Sequence, residues 1–357
     1  MPDDFRVALV ADLRGPDGGV VFDDFGVDLL DEAGVFHAFL EEDRWPVTPD
    51  QLEDFDAVIS MGQPYTHDSF AGVERVALIA RTGVGYDMID MDAATEADVM
   101  VTITPEATRR PVASATMALM LGLCHRVTIK DAIVRNDDWD IRFDHMGFEI
   151  RGRVVGLIGM GMIGREVARM LAPFEPSEIL VSDPAVSAEE AAQLGVTLVD
   201  LETLLRRSTF VTIHCPLNAH TRYLIGSREL RMMREDAYLV NTARGAIVDQ
   251  KALEQALQEG WIAGAAIDVF EQEPPDADDP LLSLPNVILA PHASCWTHEL
   301  FRDIGHDCMK AALAVSRGEE PPYVVNRAVL ERPGLKKKLE KFRTQHADKT
   351  QKGRKCP

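Results

Sequence analysis

The chain reads Val154-Val155-Gly156-Leu157-Ile158-Gly159-Met160-Gly161-Met162-Ile163-Gly164, an apolar run that meets a G-x-G-x-x-G turn and continues at helical spacing through Ile163, Val167, Ala168 and Leu171. A strand, a glycine turn and a helix in that order build a dinucleotide site. Gly159 permits the tight turn, Gly161 lets the backbone approach a pyrophosphate, and Gly164 allows the helix to lie close to its strand. The opening of the helix at Met162 and Ile163 offers free N–H groups and a positive dipole end to the phosphates. A second apolar run, Ile179-Leu180-Val181-Ser182, ends in Asp183, 19 residues beyond Gly164, where such a unit places an acid to bond the adenosine ribose hydroxyls. An acid at that point repels a 2′-phosphate, and no Arg follows it before Arg206, so the expected cofactor is NAD rather than NADP.

Three stretches at the expected carboxyl ends of strands carry further chemistry: Val240-Asn241-Thr242-Ala243-Arg244-Gly245, Asp268-Val269-Phe270-Glu271-Gln272-Glu273-Pro274 and Ala290-Pro291-His292-Ala293. Ligands of open α/β sheets bind at those ends. Together with the glycine turn, the order and spacing of these motifs across roughly residues 55 to 326 resemble the D-isomer-specific 2-hydroxyacid dehydrogenases.

The resemblance implies hydride exchange between NAD and a small 2-keto or D-2-hydroxy acid, with Arg244, Glu273 and His292 as the catalytic trio. Their side chains suit that reaction. Arg244 is a permanent cation whose planar fork holds a carboxylate and stabilises the negative charge that develops on a keto oxygen during reduction. His292 supplies the proton in reduction and removes it in oxidation, because an imidazole titrates near neutral pH. Pro291 and the strand-like run 287–290 before it single it out among ten histidines. Glu273 stands among Glu271, Asp276, Asp278 and Asp279, and only the family position selects it. A carboxylate there orients an imidazole and favours its charged form.

The family also implies a carboxylate cradle of backbone N–H groups, matching Arg81-Thr82-Gly83-Val84-Gly85-Tyr86-Asp87 here. Val84 and Gly85, with Arg244 and His292, are therefore the expected substrate contacts. Two glycines one residue apart expose main-chain donors, as an anion nest requires; the competing reading is an ordinary strand-to-helix turn. On the cofactor side, His214-Cys215-Pro216 and Thr242-Ala243 resemble the segments that run under the adenosine and nicotinamide, with Arg244 and His292 beside them. Asp268 either matches the residue near the carboxamide or serves as a cap or ion-pair partner.

Some stretches depart from the family. Many members carry an Asn and then a Glu-His pair where this chain has Thr108-Arg109-Arg110-Pro111-Val112-Ala113-Ser114-Ala115, and Met61-Gly62-Gln63-Pro64-Tyr65 is also unusual for a segment that should border the pocket. Trp139 and Trp296 either cover the site or simply pack. These differences leave the chemistry in place and the substrate open. An NAD(H)-regulated corepressor of the same family keeps the same trio and stays as an alternative. Formate oxidation is disfavoured, since that branch pairs its His with Gln where this chain has Glu273.

Two scaffolds must position these residues. Strand-like runs at 7–11, 57–61, 76–80 and 100–103 form a first open parallel unit that stops at Thr104-Pro105. An apolar helix, 112–126, leads to a second unit with strands at 154–158, 179–182, 196–199, 209–213, 237–241, 263–268 and 286–290. A helical pattern then runs to about Ser316 and returns to the first unit. The expected fold is α/β, with two doubly wound parallel-sheet domains. One is a Rossmann-type NAD-binding domain, 106–292; the other is a discontinuous flavodoxin-like substrate domain, 1–105 and 293–330. The substrate is expected in the cleft between them. By resemblance the protein is a homodimer through the cofactor domain.

Composition fits that picture. The chain has 357 residues, 46% of them apolar, enough for two cores. No run approaches the ~20 apolar residues of a membrane span, and Met1-Pro2-Asp3-Asp4 leads straight to the strand-like 7–10, so neither membrane anchor nor signal peptide is expected and cytoplasm is the default. Five scattered cysteines, Cys124, Cys215, Cys295, Cys308 and Cys356, suit reduced thiols and suggest no metal site. Net charge is −21; from Glu331 onward ten Lys or Arg and three acids give +7, which leaves −28 on residues 1–330. So acidic a body argues against nucleic acid as a partner. The basic segment 331–357, with Lys336-Lys337-Lys338 and Arg354-Lys355, reads as a solvated or partly disordered tail that adds little to the core.

Overall fold

Four of the apolar runs in the first unit become strands buried on both faces, which is why they read as continuous rather than alternating. In the computed structural model, which describes residues 4–353, they are β1 (Arg6–Leu9), β3 (Ala57–Ser60), β4 (Leu78–Arg81) and β5 (Met100–Thr102). A fifth strand, β2 (Phe36–Phe39), has no counterpart among the sequence-expected runs. It lies at the sheet edge, with Phe36 exposed, and His37 interrupts the otherwise apolar run 35–40. The sheet is parallel throughout, in the order β2-β1-β3-β4-β5.

The helix His298–Ser316 belongs to the same unit. Thr297 caps it by accepting the Leu300 N–H, and Leu300, Ile304, Cys308, Met309, Ala312 and Val315 form its buried stripe. Gly305 abuts the Phe25 backbone and leaves no room there for a Cβ.

The basic tail of the sequence reading is corrected by the structure. Pro333–Gly353 is a helix, and it packs on the first unit. Leu335 and Phe342 are fully buried, and the Phe342 ring meets Phe5 edge-on at 4.9 Å. Lys338 Nζ donates to the carbonyls of Val76, Ala97 and Asp98 at 2.6, 3.1 and 3.2 Å. Charge dominates the composition of this segment, yet Leu335, Leu339 and Phe342 recur at i, i+4 and i+7, the spacing of a helix stripe. Arg354-Lys355 and Cys356, and Met1-Pro2-Asp3 at the other end, lie outside the described residues.

The second unit is a seven-stranded parallel sheet in the order β12-β11-β10-β9-β6-β7-β8. Its strands are β6 (Val154–Ile158), β7 (Glu178–Ser182), β8 (Thr197–Leu198), β9 (Phe210–Ile213), β10 (Tyr238–Asn241), β11 (Gly264–Ile267) and β12 (Val287–Leu289). Strand order reverses at β6, which puts the topological switch point between β6 and β9. Helices cover both faces. The helix Pro105–His125 supplies Met117, Met120, Leu123 and Cys124 to one core, and it begins at Pro105 rather than after Pro111, because a first-turn proline is favoured. By compactness the units are Met1–Thr108 with Thr297–Pro357, and Arg109–Trp296. Among the described residues no single helix is long and apolar enough to cross a membrane, and no group of His, Cys, Asp and Glu is placed to hold a metal ion.

Candidate active site

β6 delivers Gly159 to the switch point. Its φ of 97° lies in the left-handed region, and a Cβ on it would sit 2.6 Å from the backbone nitrogen of Cys215, where the chain leaves β9. Gly164 packs equally close to the Gly159 carbonyl. Gly161 differs: it faces open space, and as N-cap of the helix Met162–Leu171 it has no side chain to accept from the first-turn N–H groups. An uncapped helix end beside an open backbone fits a pyrophosphate. Asp183 is held next to this turn, its Oδ2 accepting from Met160 N at 2.7 Å and its Oδ1 from Ala185 N at 2.8 Å. That is a fixed carboxylate at the end of β7, suited to ribose hydroxyls. His214 Nε2 lies 3.0 Å from Thr212 Oγ1, and burial pushes the ring down to about 3, so it is neutral. Burial also pushes the Cys215 thiol up to about 11, which keeps it unreactive.

Asn241 ends β10 as a buried polar side chain. Its Oδ1 accepts from Ala243 N at 3.0 Å and its Nδ2 donates to the Arg244 carbonyl at 2.9 Å, so it pins the 242–244 turn on both sides. Sequence reasoning did not single it out; a polar residue closing a buried apolar strand was the available signal. Thr242 Oγ1 lies 3.0 Å from Thr116 Oγ1, and Arg244 Nη1 donates to the Ala243 carbonyl at 2.8 Å. Gly245 touches the Phe270 backbone so closely that no Cβ fits. The loop after β10 is thereby pressed against the loop after β11.

Asp268, 3% exposed, is the hub of that second loop. Its Oδ1 accepts from Ala293 N and Ser294 N, both at 3.1 Å, and its Oδ2 from Ser294 Oγ at 2.5 Å. Its carbonyl accepts from His292 N at 2.7 Å. These bonds hold His292 at a φ of 54°, a conformation uncommon outside glycine. Of the two readings open for Asp268, the one with direct geometric content is the capping of the histidine loop.

Glu273 Oε2 stands 2.7 Å from His292 Nδ1, and Glu273 Oε1 accepts from Phe270 N at 3.0 Å. Burial pushes the carboxyl up, but the bond to His292, the charge of that ring, the Phe270 N–H and the Arg244 charge outweigh it and hold Glu273 below the ordinary glutamate value. An ionised Glu273 accepts the hydrogen bond of Nδ1–H and leaves Nε2 as the nitrogen that exchanges protons with a reactant.

In the first unit, β4 runs into the expected cradle. Gly83, at φ 129°, donates to Thr104 Oγ1 at 2.9 Å, and its carbonyl accepts from Thr104 N at the same distance. The Arg81 guanidinium donates to the Thr82 carbonyl. Among the described residues the N–H groups of Val84 and Gly85 donate to no protein acceptor. Trp139 and Trp296 are both at least half exposed. The cofactor-side residues and the trio thus lie at carboxyl ends of the second sheet, and Val84 and Gly85 at the carboxyl end of β4 in the first.

Residues 117–294 match the family described as "D-isomer specific 2-hydroxyacid dehydrogenase, NAD binding domain". Glyoxylate reductase of Korarchaeum cryptofilum (strain OPF8) is 41% identical over 285 residues, which cover 79% of this chain and 86% of that protein. D-3-phosphoglycerate dehydrogenase of Methanocaldococcus jannaschii is 39% identical over 279 residues, 78% of this chain and 53% of that one. The crystal structure of a glyoxylate reductase from Paecilomyes thermophila superposes with a TM-score of 0.79 at 28% identity, over 91% of this chain and 99% of the other. Shared over most of its length with such relatives, and in the fold of both units, the chain belongs to the D-isomer specific 2-hydroxyacid dehydrogenases, and its second unit is their NAD-binding domain.

Proposed function

We propose that this protein is an NADH-dependent reductase of a small 2-keto acid, working reversibly on the D-2-hydroxy acid, with His292 as the proton donor. The observation that carries this reading is the 2.7 Å contact between His292 Nδ1 and Glu273 on the NAD-binding unit. Bound at the glycine turn and Asp183, the cofactor supplies the hydride. Arg244 stabilises the oxyanion that forms, His292 Nε2 protonates it, and Glu273 stabilises the ring through the change of charge. The unpaired N–H groups of Val84 and Gly85 receive the substrate carboxylate.

The partner in this reading is a second copy of the chain. Val127, Val134, Trp139, Ile141, Phe143 and Met146, all exposed, lie within one stretch of twenty residues of the NAD-binding unit, apolar surface that a second copy would cover. Assaying glyoxylate, pyruvate, hydroxypyruvate and 3-phosphohydroxypyruvate by loss of NADH absorbance tests the function. Turnover of at least one supports it, and no turnover of any overturns it.

A further inference from the structure

The helix Pro105–His125 carries a buried stripe in which Ala113, Met117, Met120 and Cys124 recur at helical spacing and share one apolar core with Val240 of β10. Thr116 lies within that stripe and is 0% exposed, a hydroxyl among apolar neighbours. Burying a hydroxyl costs free energy unless its hydrogen-bonding capacity is used. All of these residues belong to the NAD-binding unit.

The Thr116 hydroxyl is used in a fixed direction. Its single proton goes to the Val112 carbonyl at 2.9 Å, one turn back along the helix, and a carbonyl can only accept. Toward Thr242 Oγ1, 3.0 Å away and 126 positions along the chain, Thr116 therefore has only a lone pair to offer, so the Thr242 hydroxyl is the donor. The bonds run from Thr242 through Thr116 to Val112. They fasten the half-buried Thr242 side chain to a helix that its apolar stripe holds in place.

Thr242 opens the turn that carries Arg244. Asn241 holds that turn from one side, by the Ala243 N–H and the Arg244 carbonyl. The Arg244 guanidinium donates from Nη1 to the Ala243 carbonyl at 2.8 Å, so the direction in which that carbonyl points helps to aim the cation. The carbonyl sits in a turn tied down at two places, by Asn241 and by the bond from Thr242 to Thr116.

We propose that Thr116 is a positioning residue for the reaction: by accepting from Thr242 it holds the 242–244 turn in the shape that aims the Arg244 guanidinium at the keto acid. This rests on the reaction proposed above, with Arg244 as its cation. Without the Thr116 hydroxyl the turn keeps only its Asn241 anchor, and the guanidinium samples more orientations. Loss of aim at a reacting centre costs rate even when every reacting group is still present.

The test measures kcat/KM, with whichever of the four keto acids above turns over fastest, in Thr116→Val, Thr116→Ser and Thr242→Val, each also combined with Arg244→Lys, and verifies folding by melting curves. Thr116→Val keeps the shape and removes the acceptor, and about a tenfold loss is expected. Thr116→Ser restores the hydroxyl and should stay within about twofold of wild type, a rescue that a purely packing role would not produce. Thr242→Val breaks the same bond from its half-buried end and should cost at least as much, so it decides the matter where Thr116→Val does not fold. In the Arg244→Lys background the Thr116→Val loss should shrink to about twofold or less, because residues that act through one another are not additive. Wild-type kcat/KM in folded Thr116→Val, a Ser variant as poor as the Val variant, or an undiminished loss beside Arg244→Lys overturns the positioning role alone. No turnover of any keto acid by the wild type overturns it together with the reaction.

Discussion

Asp268 and His292 are joined through the backbone, the histidine N–H donating to the aspartate carbonyl at 2.7 Å while the Asp268 carboxylate caps the next two residues. The ring is therefore placed from below by a buried acid and from the side by Glu273. Asp268→Asn keeps the shape but turns one acceptor into a donor facing the Ser294 hydroxyl or the loop N–H groups. We expect kcat to fall by about tenfold or more, with a lower melting temperature. Unchanged turnover and melting together would show that the loop holds itself.

His292→Ala is expected to lower kcat by roughly 100-fold or more, the scale of a lost general acid, while NADH affinity measured by fluorescence titration stays near wild type. Arg244→Lys is also expected to be severe, because an ammonium cannot reproduce the bidentate hold on a carboxylate. Steady-state kinetics on both variants decide the matter; wild-type rates in either would remove that residue from the mechanism.

Glu273 carries a pH signature. Its folded pKa lies below the ordinary glutamate value, so its contribution to stability is present above that value and is lost as pH falls through the lower, folded one. Melting curves from pH 7 to pH 3 should therefore show a steeper acid decline in the wild type than in Glu273→Gln. Parallel declines would count against an ionised, paired Glu273. The same variant should retain NADH binding and lose turnover.

In the proposed reading, Asp183 sets the cofactor preference. Its fixed carboxylate repels a 2′-phosphate, so wild-type kcat/KM should favour NADH over NADPH. Asp183→Ala should narrow that preference from both sides, weakening NADH use and relieving the repulsion. Equal efficiency with the two cofactors in the wild type would contradict the assignment.

The C-terminal helix is expected to be part of the folded core. Burying Leu335 and Phe342 contributes roughly 1.5–3 kcal/mol each, and Phe342→Ala should cost about 3–5 kcal/mol. Deletion after Leu330 should lower the melting temperature clearly at both low and high salt, because the loss is apolar packing rather than screened charge. A truncation that melts like the full chain would return the segment to the status of a tail.

What was legible in the sequence is what local chemistry dictates. A glycine turn between strand and helix, an acid after the next strand, and apolar runs at sheet spacing all announce themselves within about thirty residues. Glu273 was legible only through resemblance, since its contact with His292 spans 19 positions, whereas Pro291 and the strand before it already marked His292. The edge strand β2 was missed because His37 interrupts its apolar run, and Asn241 because its role depends on a turn three residues long. The C-terminal helix was hidden by its own lysines, which outnumber the stripe of apolar residues beneath them.

The contact between Gly245 and the Phe270 backbone bears on how such an enzyme can be re-engineered. With no space for one methyl group, the arginine loop and the glutamate loop form a single rigid casting, and the bonds of Asp268 fasten the histidine loop to it. Random libraries across these three loops should return mostly inactive clones.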